Sequence, residues 1–325
     1  MSHPVRAIFD FIATSTRESF GHPVTFERWL KAFPDARVGR SPGRQTIAEQ
    51  SVVRWDQLGR FSLLRWPHRY LGSLPGWRVI RGLGYTSDTI QCPALAKLEA
   101  RLVSDDEGLR CDILDIEGMA SSKSELQDYT TIGDMAVHTC PSYIEFTREA
   151  LERNLAHNEI RILRPIGNQG GDHFSSYGWD GRIFLSNHGG SHHFAAAHHI
   201  AKTLGEAIPL HGKLYHTELD VSAARSINDD FAVYAISDRP EVSNGFQDAM
   251  SAFCASYYWC EMPAQYGDAR AIFLPRSCKR AMRIAERLCS HGFFEVGAHV
   301  RRLAENQVKP TNVNLVDIRS TFTAH

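Results

Sequence analysis

The stretch Arg182–Gly205, RIFLSNHGGSHHFAAAHHIAKTLG, decides the fold reading. Residues 182–187 are branched and apolar enough for a strand, and Asp180-Gly181 just before them favours a tight turn. Gly189-Gly190 then break the chain, Ser191 opens an alanine-rich run of good helix formers over 192–204, and Gly205 supplies the stop. A strand that ends in a Gly-Gly turn and feeds straight into a helix is a building unit of α/β or α+β architecture.

Working outward, SYIEFTREALERN begins with Ser142 and Glu145 at capping-box spacing and reads as a helix. IRILRPI (160–166) reads as a strand rich in branched residues. GNQGGDHFSSYGWDG (167–181) reads as a long loop that lies beside the Gly-Gly turn and is partly mobile. AIPLHGKLYHTEL follows the helix as a further strand. Toward the C-terminus, FQDAMSAFCASYYWC reads as a buried helix and AIFLP as a short strand. Ser277 then stands as the cap of a helix with an apolar stripe at Ala281, Ile284, Ala285 and Leu288, and FFEVGAHVRRLAEN as one more helix. Three consecutive regions result: 1–130, basic then acidic; 131–225, the mixed core; and 226–325, mainly helical.

Eight of the sixteen histidines fall between His173 and His216, and three of them flank the glycine pair, at His188, His192 and His193. The first N–H groups of a helix have no internal partner and sit at the positive end of the macrodipole, so this turn is a place for an anion. Gly189 and Gly190 let backbone approach it, Ser191 can cap the helix or donate to a phosphate oxygen, and His192 and His193 can donate as well. Asp172, His173 and His192 are the candidate catalytic groups. Gly189, Gly190, Ser191, His192 and His193 are the candidate cofactor-binding residues. A metal held by His188, His192 and His193 with Asp172 or His173 is an alternative, although no HExxH or paired cysteines accompany them.

Residues 143–220 resemble the ParB/sulfiredoxin fold. The resemblance is carried by Gly170-Gly171-Asp172, by Gly189-Gly190-Ser191-His192-His193-Phe194-Ala195-Ala196, and by Ile208-Pro209 entering the next strand. It implies a mixed-sheet core with N-terminal and mainly helical C-terminal additions, and a turn that receives nucleotide phosphates. It also implies ATP or CTP as cofactor, with Mg²⁺ brought by the nucleotide. Ser191 stands where sulfiredoxins carry their reactive cysteine and His193 where they carry a phosphate-binding arginine, so sulfinic-acid repair is not expected here.

Composition sets the outer bounds. Apolar residues at 43% and charged residues at 22% are those of an ordinary globular chain, and no apolar run reaches the roughly 20 residues of a membrane span. A cytoplasmic protein without a signal peptide is the expectation, its seven cysteines forming no CxxC pair. Residues 1–81 carry 13 Lys/Arg against 6 Asp/Glu, and residues 82–130 carry 4 against 10. Arginines interleave with tryptophans over residues 28–81 as a nucleic-acid surface would require. Three functions stay open: an enzyme of phosphoryl transfer or phosphate-ester hydrolysis on a nucleotide or phosphorylated small molecule, a non-catalytic nucleotide or nucleic-acid binder using that basic segment, and an interaction scaffold.

Overall fold

The computed structural model describes residues 12–59, 72–80, 84–311 and 313–317. In chain order they form α1 (Val24–Ala32), the hairpin strands β1 (Ser73–Ile80) and β2 (Gly84–Gln91), and the short strands β3 (Glu99–Ser104), β4 (Leu109–Asp112) and β5 (Ile116–Met119). Then come α2 (Ile132–Thr139), α3 (Arg148–Leu155), β6 (His173–Tyr177), β7 (Ile183–Ser186), α4 (Ser191–Leu204), β8 (Pro209–Gly212) and β9 (Leu214–Leu219). The remainder is α5 (Val221–Asp230), β10 (Phe231–Ser237), α6 (Pro240–Ala252), β11 (Tyr257–Glu261), β12 (Ala269–Pro275), α7 (Lys279–Ser290), α8 (Val296–Glu305) and β13 (Leu315–Asp317). The chain is of mixed α/β class. Among the described residues no helix is long and apolar enough to cross a membrane.

The elements group into two units built from discontinuous stretches, and the grouping does not follow the three consecutive regions expected from composition. The first unit takes residues 1–42, 57–98 and 220–305; the second takes 43–56, 99–219 and 306–325. Strand pairing is the cause. In the first unit the β1–β2 hairpin joins β11, which completes an antiparallel sheet of order β10-β12-β11-β1-β2. In the second, β3 pairs with β9 and β5 with β7, within a mixed sheet of order β13-β3-β9-β6-β7-β5.

Each unit has its own core. In the first, Phe26, Trp29, Phe246, Phe253 and Ile284 pack together from α1, α6, α7 and the segment after α6. In the second, Ala136 of α2, Ala150 of α3 and Phe194–Ala197 of α4 are buried with Phe174 of β6, Leu185 of β7 and Leu214 of β9. α4 packs closely against α2 and α3, and its three successive alanines are fully buried, a side chain of one carbon adding little to the helix radius.

Several local expectations are corrected. Residues 160–166 form turns, not a strand: Ile160 and Ile162 are buried, and the Gln169 amide, not a neighbouring strand, satisfies the Arg164 and His211 carbonyls. The long 167–181 loop contains β6, whose serines pair internally, Ser175 with Ser186 at 2.6 Å and Ser176 with His216 at 2.8 Å. Ser142 caps nothing. Pro141–Tyr143 is a 3₁₀ turn, and the N-cap of α3 is Thr147, whose hydroxyl accepts from the Ala150 N–H. Residues 246–260 divide between the end of α6 and β11, with Cys254 at φ 50° between them. Cys278, not Ser277, is the N-cap of α7.

The tryptophans expected to stack bases are structural where they are described. Trp29 and Trp55 are buried, and Trp77 stacks on Tyr85 at 5.4 Å. Trp66 and residues 60–71 lie outside the described residues.

His198, on the buried face of α4, has no hydrogen-bond partner for Nδ1 among the described residues, and burial pushes its pKa down to about 4. The unfolded chain takes this proton near 6.5, so the stability contributed by the neutral ring is complete above that pH and is lost as pH falls toward 4. The loss amounts to about 3 kcal/mol by linkage. Urea unfolding of the second unit should therefore weaken between pH 6.5 and 4 in the wild type and less so in His198→Leu, and equal slopes in both would refute the assignment.

Candidate functional site

The turn between β7 and α4 forms as its residues dictate. Gly190 is the N-cap of α4 in the left-handed region at φ 69°, where a residue with a Cβ is disfavoured, and Gly205 closes the helix at φ 70°. Among the described residues no side chain caps this N-terminus. Among the described residues, the backbone N–H groups of Ser191, His192 and His193 have no protein acceptor.

A neighbouring carboxylate has taken the amide just outside them. Glu159, on the turn after α3, accepts from the Gly190 N–H through Oε2 at 2.9 Å. A Cβ added to Gly189 would stand 2.9 Å from that carboxyl, so the absent side chain is what admits it. The helix N-terminus thus holds an anion of the protein's own, as its dipole favours.

The histidines divide among separate partners. The Asp172 carboxylate is almost fully buried, at 2% exposure, and its Oδ1 accepts from both the His188 backbone N–H (3.0 Å) and His188 Nδ1 (2.9 Å). Nδ1 therefore carries the proton in the neutral ring. Nε2 is left as a lone pair on a side chain that is 60% exposed. The Arg161 guanidinium lies 3.9 Å from the same carboxylate.

His192 Nε2 is 2.8 Å from Ser124 Oγ, and burial with the nearby Lys123 lowers the ring's pKa. His193 Nδ1 is 3.0 Å from Asn154 Oδ1. The Asn154 amide already donates to the Tyr143 and Ala150 carbonyls, so its oxygen accepts and His193 carries its proton on Nδ1. The His193 ring is stacked between Tyr143, at 4.3 Å, and His157, at 3.9 Å, and burial together with His157 lowers its pKa. In the neutral state its Nε2 is an acceptor, which opposes the expected role of phosphate donor. His173 bonds the Gly171 carbonyl through Nδ1, and its ring meets the edge of Tyr215.

Of the expected residues, then, Asp172, Gly189, Gly190, Ser191, His192 and His193 converge on one turn, while His173 is engaged elsewhere. A shared metal site is not built from these histidines: His188, His192 and His193 turn to Asp172, Ser124 and Asn154 respectively. Among the described residues no group of three or more His, Cys, Asp or Glu side chains is arranged to hold a metal ion.

Sequence reasoning missed the residues that reach the turn from a distance. Ser121 donates to the Asn187 carbonyl at 2.7 Å, Ser191 donates to Ser122 at 2.9 Å, and Ser124 meets His192, so the Ser121–Ser124 segment frames the turn with Lys123 among its hydroxyls. Asn187 is buried and donates to the Gly189 carbonyl, and its Oδ1 has no hydrogen-bond partner among the described residues. The three serines around one lysine were visible in the sequence as SSKS, whereas nothing in it marked Glu159 or Asn187.

A family model, DUF6685, described as a family of unknown function, matches residues 106–313, well over half of the chain, and the chain belongs to that family. No curated protein and no solved structure matches it.

The Asp172–His188 contact has a direct test. Asp172→Ala leaves the His188 ring and backbone N–H without their acceptor, which should cost about 1–3 kcal/mol in unfolding free energy. The His188 ring should also lose its Nδ1–H tautomer preference, which ¹⁵N correlation spectra of the imidazole read directly. An unchanged tautomer in the variant would show that Asp172 does not orient the ring.

Proposed function

We propose that this member of DUF6685 binds a phosphate-bearing small molecule at the N-terminus of α4 and either hydrolyses its phosphate ester or transfers its phosphoryl group. One observation carries the reading. A single short turn presents an imidazole oriented by a buried carboxylate, His188, and three helix amides, Ser191–His193, without an acceptor among the described residues.

The roles follow from the chemistry of each group. The amides of Ser191, His192 and His193 hold phosphate oxygens, Gly189 and Gly190 admit them, and Lys123 and Arg161 add positive charge nearby. As the oxygen of the attacking water or hydroxyl bonds to phosphorus, His188 takes its proton through Nε2, and Asp172 fixes the ring for that transfer. The P–O bond to the alcohol or nucleotide leaving group breaks with its electron pair staying on the departing oxygen. His192 lines the site with its ring on Ser124. The unpartnered Asn187 Oδ1 suits a hydroxyl on the substrate or a protonated phosphate oxygen.

ATP and CTP are the first nucleotides to test, with Mg²⁺ neutralising their phosphates. The run of strand, Gly-Gly turn and alanine-rich helix, with β6 and its Gly170-Gly171-Asp172 entry beside it, supports a ParB/sulfiredoxin-like core. Glu159 is the occupant that an incoming phosphate has to displace.

Calorimetric titration with inorganic phosphate, ATP and CTP, followed by product analysis with Mg²⁺, tests both halves of the reading. Glu159→Gln removes the competing charge and should tighten phosphate binding by about 1 kcal/mol, roughly fivefold. His188→Ala should keep that binding and lose turnover by about 10²–10⁴-fold. If Glu159→Gln leaves phosphate affinity unaltered and the wild type turns over neither nucleotide, the proposal fails.

A further inference from the structure

The segment after β5 is pinned on the turn and the first residues of α4 at three points. Ser121 Oγ donates to the Asn187 carbonyl at 2.7 Å. Ser122 Oγ accepts twice, from the Ser191 hydroxyl at 2.9 Å and from the Ser124 N–H at 3.1 Å. Ser124 Oγ in turn lies 2.8 Å from His192 Nε2. The phosphate reading gives these hydroxyls no chemistry of their own.

The hydroxyls are not equivalent. A serine becomes a nucleophile when a neighbouring base takes its proton as it attacks. Ser121 gives its proton to a backbone carbonyl, and the buried Ser191 gives its proton to another hydroxyl. Ser124 is bonded to an imidazole nitrogen, and both Ser124 and His192 are partly exposed. Ser176 and His216 make the same kind of contact at 2.8 Å, but both are buried in the sheet, out of reach of a substrate.

The surroundings suit a base at His192. Burial and the nearby Lys123 hold its pKa below the ordinary histidine value, so the ring is neutral near neutrality and has a lone pair to offer. With the hydrogen on Nδ1, that lone pair is on Nε2, facing the Ser124 hydroxyl. Independently of the helix amides, the turn leaves one buried polar atom unanswered. Asn187 is 6% exposed and donates to the Gly189 carbonyl, and its Oδ1 has no partner among the described residues.

We propose that Ser124 is the nucleophile of this site, with His192 as its base, and that turnover passes through a phosphoserine at this position. The proposal rests on the phosphate reading and divides it into two steps. In the first, Ser124 Oγ bonds to the phosphorus of a phosphate ester held at Ser191–His193, and its proton passes to His192 Nε2. The P–O bond to the leaving group breaks, its electron pair staying on the departing oxygen. In the second, water bonds to the phosphorus and gives a proton to His188 Nε2. The P–Oγ bond breaks with its electron pair returning to Ser124, which recovers its proton from His192. The proton collected by His188 passes through solvent to the departed oxygen.

Acid-quenched peptide mass spectrometry of the full chain, incubated with p-nitrophenyl phosphate or with ATP and Mg²⁺, reads the intermediate directly. Phosphate is expected on Ser124. It should accumulate in His188→Ala, where the second step lacks its base, and fall in His192→Gln, where the first does. Ser124→Ala should lose turnover by at least about 10²-fold. Its Gly190–His193 amide signals should still shift and saturate with inorganic phosphate. Three results overturn the covalent step and leave the phosphate reading standing, provided those amides respond to phosphate. They are no phosphoserine in either the wild type or His188→Ala, phosphate on Ser121, Ser122 or Ser191 instead, and turnover by Ser124→Ala equal to that of the wild type. Amides that do not respond to phosphate end both.

Discussion

A helix docked end-on against a strand leaves its first amides pointing at whatever the turn contains, and the second unit is organised around that demand. In α4 the close packing against α2 and α3 has Ala195–Ala197 fully buried, and the direct strand-to-helix passage comes from Gly190 in the left-handed region. Those two features place Ser191–His193 in a recess framed by Ser121–Ser124, Asn154 and the turn at His157–Glu159. Glu159 answers part of the demand by reaching the Gly190 N–H; the three amides behind it stay without an acceptor among the described residues.

The same recess explains why the clustered histidines do not act as one group. Each ring beside the turn is claimed by a different partner, and burial holds His192 and His193 below the ordinary histidine pKa. Protonating them beside Lys123 or His157 would add like charge, so neutral rings are the compatible state. His188 is the exception in exposure. Its Nδ1 side is fixed on buried Asp172 and its Nε2 side is open, which separates the group that can exchange a proton with bulk water from those that shape the wall.

How much of this the sequence disclosed depended on how local the cause was. The strand, the glycine pair and α4 were legible because branched, glycine and alanine runs succeed one another within 24 residues. Asp172 was legible beside the turn through the Gly170-Gly171-Asp172 pattern. The segment at 160–166 misled because its alternating isoleucines are buried by turns held on Gln169, not by a ladder of strand hydrogen bonds. β6 was hidden because His-Phe-Ser-Ser-Tyr looks polar until the serines find Ser186 and His216. Glu159 lies 31 residues from Gly190, and no periodicity or cap signal connects such a pair before the chain is folded.

The α4 N-terminus is proposed as an anion site in which Glu159 stands in for a ligand. Amide NMR of the uniformly ¹⁵N-labelled chain, titrated with inorganic phosphate at constant pH and ionic strength, addresses it most directly. If phosphate binds there, the Gly190, Ser191, His192 and His193 amide signals move together and saturate, with Gly190 shifting as it exchanges one carboxylate for phosphate. Signals that stay fixed at those four residues, or that drift without saturation across the whole surface, would contradict it.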